Sequence, residues 1–237
     1  MKYLSTFFHI LKLNPAYAFQ LIALGISLVT SAIVFYRNNA PRYLKYFFPL
    51  LLVANIVEYL GLYMGIKFGN NHVVYNMFMF ISFPVTLLVV RQIVYNSTVK
   101  TYLFYAIIIY PIIALISLLP RPLEHPWSST NWEIGAIGVI AFVIYYFYEL
   151  FKFPRYERLL AQPDFWISSG LLIYYVVAFP LLSSNNLLGG LPKAILYELT
   201  DILDILGAVL YILFTVAFIC ALRNKKDIEK QAERLLN

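Results

Sequence analysis

Apolar residues along this chain come in seven runs, separated by short stretches rich in polar residues, proline or glycine. The runs are approximately Tyr17–Tyr36, Phe47–Ile66, Val73–Val94, Thr101–Leu119, Trp132–Phe151, Asp164–Ser183 and Ile195–Leu222. A helix of about 20 mostly apolar residues crosses a hydrocarbon layer about 30 Å thick, and in lipid only such a helix or a closed barrel satisfies its own backbone polar groups. The pattern therefore predicts an all-α protein, with a seven-transmembrane-helix bundle over residues 17–222. Ahead of it, residues 1–16 place Leu4, Phe7, Phe8 and Leu11 at helical spacing, with Lys2, Ser5, His9 and Lys12 between them. This is the pattern of an amphipathic lead-in lying in the membrane interface. Ala16-Tyr17-Ala18 has the small residues of a signal-peptidase site, but Lys12 and Asn14-Pro15 interrupt the apolar region before it, so the first run is read as a retained span. After the bundle, residues 223–237 form a polar, basic tail.

Charge sets an expected direction. Arg37, Arg42, Lys45, Arg91, Lys100, Lys152, Arg155, Arg158 and the tail residues Arg223, Lys225, Lys226, Lys230 and Arg234 fall on one side of the seven runs, leaving Lys2, Lys12, Lys67, Arg121 and Lys193 for the other. Short loops rich in Lys and Arg stay in the cytoplasm. The expectation is an amino terminus outside and a carboxyl terminus inside, in a multi-pass protein of the inner (cytoplasmic) membrane. Composition agrees with lipid as the main solvent: 61% of residues are hydrophobic and 13% charged, against about 45–50% and about 25% in soluble domains. The net charge of +6 is dispersed over short loops and the tail, so no nucleic-acid partner is expected. The expected partners are membrane lipid, a small amphiphilic ligand, and a membrane or cytoplasmic protein that engages the tail. A single cysteine, Cys220, excludes an internal disulfide and a thiolate metal cluster.

Glu58 is the residue richest in implied chemistry. It sits near the centre of the second run, where an ionisable side chain costs at least about 2.5–3.5 kcal/mol and must face protein or water. Asn55 lies one turn before it, and Gly61 and Gly65 follow on nearly the same face as a small-xxx-small pattern that admits a neighbouring backbone. Glu58 therefore points into the bundle, as a ligand contact, a proton site, a general acid/base or a structural carboxyl bonded to Asn55 or a tyrosine. The last run opens with Glu198, Asp201 and Asp204. Its 28 residues span about 42 Å at about 1.5 Å per residue, so Glu198 falls at or beyond the interface as an acidic cap, Asp201 near it and Asp204 just inside. The histidines, His9, His72 and His125, are all assigned to the outer side but lack any metal-ligand spacing, so neither a metal centre nor a cofactor is expected. On the inner side, Arg91 and Glu149 share a depth that permits an ion-pair latch. Asn96-Ser-Thr matches a glycosylation acceptor but falls inside and is read as a loop.

The sixth run contains Phe165-Trp-Ile-Ser168-Ser-Gly170-Leu-Leu-Ile-Tyr174. On this stretch the chain resembles a group of uncharacterised bacterial seven-helix integral membrane proteins with a similar Phe-Trp-x-Ser-x-Gly-Leu-Leu-Ile-Tyr run; the likeness implies fold and bacterial origin, and no activity. A retinal protein would need a lysine deep in the last run, which reads Leu206-Gly-Ala-Val-Leu-Tyr-Ile. No histidine lies well inside a run for an intramembrane hydrolase, and no phosphate-binding loop is present for ATP-driven work. The leading expectation is a receptor-like or sensory protein that binds a small amphiphile or cation in an outward-facing polar pocket between the second, third, sixth and seventh spans. Asn55, Glu58, Asn76, Tyr174, Asp201 and Asp204 are the candidate ligand-binding residues. The alternatives are a lipid-modifying enzyme using the carboxyls as acid/base or metal ligands, a small proton-coupled transporter, and a structural subunit of a membrane complex. The residues alone leave open whether the protein is an enzyme.

Overall fold

The structure, a computed structural model, describes residues 14–37, 40–118, 129–153, 158–183 and 192–236. The helices are α1 (Pro15–Phe35), the single turn α2 (Arg42–Lys45), α3 (Phe47–Phe68), α4 (His72–Ile93), α5 (Ser97–Leu118), α6 (Ser129–Lys152), α7 (Pro163–Ser183) and α8 (Lys193–Leu236), with a short 3₁₀ turn at Leu159–Ala161. Seven of them are long and apolar enough to cross a membrane, consistent with a multi-pass membrane protein. The expected interfacial lead-in lies at residues 1–13, outside the described residues.

Local chemistry explains where the helices start. Pro15 at the first turn of α1 has no amide hydrogen to leave unpaired, and Asn14 Oδ1 accepts the Tyr17 amide at 2.8 Å. α5 begins at Ser97, before the expected Thr101, because Asn96 Oδ1 accepts from the amides of Thr98 and Val99 at 2.9 and 3.3 Å. The Glu149 carboxylate of α6 accepts the two preceding amides, Tyr95 and Asn96, at 2.8 Å each. The Arg91–Glu149 ion pair that their shared depth permits is not formed: Glu149 serves as a cap, and Arg91 donates from Nε to the Lys100 carbonyl at 3.0 Å while lying over the Phe104 ring. Backbone amides win because they lie nearer and otherwise would be unpaired in apolar surroundings.

Six helices, α1, α3, α4, α6, α7 and α8, close a ring, and α5 packs outside it in the groove between α4 and α6. α5 is held to α6 near the end where α1 starts, where Asn131 Nδ2 donates to the Ala114 carbonyl and Ser117 Oγ donates to Asn131 Oδ1. The first and last helices share the most extensive contact of the bundle. α1 supports it by burying Ala23, Ser27 and Ser31 at four-residue spacing, small side chains that let helices approach closely. Inside the ring Phe47 packs edge-on against Phe214 and Phe218, and Phe83 meets Tyr110 and Tyr175. The outer surface is as apolar as the core, with Ile22, Val29, Ile56, Tyr102, Ile116 and Ile144 exposed, as lipid contact requires. The atoms nearest Gly61 are those of the Tyr75 side chain, 3.0 Å from where a Cβ would stand.

Candidate functional site

The ring encloses a cavity of about 170 Å³ to which every long helix except α5 contributes. It extends along α4 from Tyr75 to Thr86, about 16 Å of helix at about 1.5 Å per residue. Its character changes along that length. Toward the end where α1 starts, the wall includes Gln20, Glu58, Tyr75, Tyr174 and Tyr211 beside the Trp132 ring; toward the other end it includes Leu50, Leu51, Phe83, Leu210 and Phe214, with Ser82 and Thr86 as polar groups among them. One molecule-sized space thus has a polar head and an apolar foot.

Glu58 stands at the junction. Its Oε2 accepts from the Tyr75 hydroxyl at 3.0 Å and the Tyr17 hydroxyl at 3.3 Å, and its Oε1 accepts from Gln20 Nε2 at a long 3.5 Å. On the far side of Gln20 lies Asp204, whose Oδ2 accepts from Asn14 Nδ2 at 3.3 Å. Turning the Gln20 amide over lets its nitrogen donate to Asp204 Oδ1 at 3.1 Å and to the Asp204 carbonyl at 3.2 Å. The Gln20 amide thus lies between two carboxyl groups on different helices and donates to one or the other according to its orientation.

Glycines make room for this arrangement. A Cβ at Gly207, one turn beyond Asp204, would stand 2.9 Å from the Gln20 side chain, and the missing Cβ of Gly61, one turn beyond Glu58, is where the Tyr75 ring lies. Gly135 does the same for Phe83, whose ring would be 2.6 Å from an added Cβ. Among the described residues, no Lys, Arg or His lines the cavity. The hydroxyls of Tyr174 and Tyr211 line it without a hydrogen-bond partner among the described residues.

Of the residues singled out from sequence, Glu58 and Tyr174 line the cavity and Asp204 adjoins it through Gln20. Asp201 faces Asp204 from one turn earlier on α8 and stays outside the lining. Asn55 lies off the cavity, its amide donating to the Leu51 carbonyl of its own helix at 2.9 Å. Asn76 is buried beside the lining residue Tyr75 but is not part of the wall. The expected pocket also omitted α1, which supplies Asn14, Tyr17 and Gln20. A signal for them was available: the three recur at three-residue spacing and so share one helix face at the start of an otherwise apolar run. His9 and His125 lie outside the described residues, and among the described residues no three His, Cys, Asp or Glu side chains gather where they could hold a metal ion. Comparison of the chain with protein-family models, with curated proteins and with solved structures returns no match.

Proposed function

We propose that this is a receptor-like membrane protein that binds a small amphiphile inside the bundle, its headgroup at Glu58 and its tail along Leu51, Phe83 and Phe214. The observation that carries this reading is the division of one cavity into an end rich in hydrogen-bonding groups and an apolar end. Ligand sites of this kind are mostly apolar, with a few polar groups that fix orientation. In the proposed orientation, which rests on the distribution of Lys and Arg, the amino terminus is outside and the polar end faces the outer leaflet of the inner membrane. Ligand entry would alter the packing of α8 against α1 and α7, and α8 continues as one helix to Leu236, which gives occupancy a route to the cytoplasmic tail.

The test is thermal unfolding of the purified full chain in nanodiscs with a panel of single-chain alcohols, amines and fatty acids. Occupancy at about 100 times Kd stabilises by about 2.7 kcal/mol, a readable rise in midpoint. Ala54→Leu, which fills the apolar part of the wall, should remove the rise for every member that binds. A panel without effect, or a rise that survives Ala54→Leu unchanged, would sink the proposal.

A further inference from the structure

We infer that the headgroup taken by this cavity is a primary ammonium, and that it enters in exchange for one proton held among Glu58, Gln20 and Asp204. The inference rests on the amphiphile-binding reading above and specifies its ligand. It is carried by the seat of the Gln20 amide between two carboxyl groups, next to two cavity-lining phenols without partners among the described residues.

An amide has one donating end and one accepting end. With its nitrogen toward Glu58, the Gln20 oxygen stands against two acceptors, Asp204 Oδ1 and the Asp204 carbonyl. Turned over, the nitrogen serves both of those at 3.1 and 3.2 Å. Gln20 Oε1 then faces Glu58 Oε1 across about 3.5 Å, two acceptors without a proton between them. A proton on Glu58 converts that contact into an O–H···O hydrogen bond, while the hydroxyls of Tyr17 and Tyr75 continue to donate to Oε2. The pair thus holds one proton and one negative charge. The groups facing it are Tyr17 from α1, Tyr75 from α4, Tyr174 from α7, and Tyr211 and Asp201 from α8. A tyrosine hydroxyl carries no charge near neutral pH.

This charge count selects the ligand. When R–NH₃⁺ enters, the Glu58 O–H bond breaks and the proton leaves to water; no covalent bond to the ligand forms. One negative charge remains in the site before and after, so the exchange buries no additional net charge. The three N–H donors of the ammonium have four acceptors within the site: the Glu58 carboxylate, the Gln20 carbonyl and the hydroxyls of Tyr174 and Tyr211. A carboxylate head meets charge of its own sign, and an alcohol offers one donor and leaves the proton in place.

The experiment is titration calorimetry of the full chain in phosphatidylcholine nanodiscs, with empty nanodiscs subtracted, using octylamine, octanol and octanoic acid. Repeating the octylamine titration in buffers of different ionisation enthalpy counts the protons released. The expected result is a preference for octylamine, release of about one proton, and affinity rising about tenfold per pH unit while the pair holds its proton. Glu58→Gln and, independently, Asp204→Asn should each abolish the release. Octanol binding as well as octylamine, or octylamine binding without release, overturns the exchange and leaves the amphiphile reading standing. Absence of heat from all three probes overturns both. Release unchanged in both variants would place the proton elsewhere and overturn the assignment.

Discussion

A methyl group at position 207 has no room unless Gln20 moves, and one at position 61 would press on the Tyr75 ring. Both aromatic and amide are partners of Glu58, so the two glycines act on the site without lining its acids. Gly207→Ala should cost about 1–3 kcal/mol through overpacking and weaken ligand binding, whereas Gly138→Ala, whose added Cβ meets nothing within 4 Å, should leave unfolding and binding unchanged. Equal effects of the two on a thermal melt would refute the steric account. The same residues show what was legible in advance. A carboxyl in the middle of an apolar run had to face inward, and Glu58 does. Asn55 follows no such rule, because a helical asparagine can satisfy itself on the carbonyl four residues back. Tyr75 was one among 20 tyrosines, and nothing local distinguishes a tyrosine that bonds a buried acid from one that borders lipid.

The number of long helices could be read from hydropathy because lipid imposes the same length on each. Their exact starts could not, since these depend on caps supplied by side chains distant in sequence. Glu149 is the clearest case: it lies more than 50 residues from the amides it accepts. Glu149→Ala should leave two amides unpaired at the start of α5 and cost about 1–3 kcal/mol for each buried donor left without a partner; Glu149→Gln, which keeps an acceptor, should cost less. Hydrogen exchange at Tyr95 and Asn96 reads the difference directly, and equal protection in both variants would contradict the capping role. α5 is also the helix least tied to the ring, so Asn131→Leu, which removes its polar link at one end, should speed exchange in Ala114–Leu118 more than anywhere in α1 or α8.

Taken whole, the molecule is a ring of six helices with a seventh outside it, a plan that the order of apolar runs along the chain does not contain. Every run has similar length and hydropathy, and the choice of neighbours lies in small residues and glycines whose partners are set only in three dimensions. The direction of the bundle in its membrane remains the expectation drawn from Lys and Arg. In a Cys220→Ser background, a cysteine at Phe68, at the end of α3, and one at Phe153, just after α6, should react from opposite sides of sealed vesicles, since both positions are exposed and the two helices end at opposite ends of the bundle. Labelling of Phe68→Cys from the cytoplasmic side would reverse the topology.

The bond from Asn14 to Asp204 joins residues 190 apart, and it carries a consequence for how the protein is made. During synthesis α1, with Asn14, Tyr17 and Gln20 on one face, emerges well before α8, the helix that covers that face. Until then the polar face has to be sheltered by lipid headgroups or an insertion chaperone, and a prematurely terminated chain displays it permanently. Covering of that face by α8 thus separates a chain that includes α8 from a fragment that stops short of it, and gives membrane quality control a surface by which to tell the two apart.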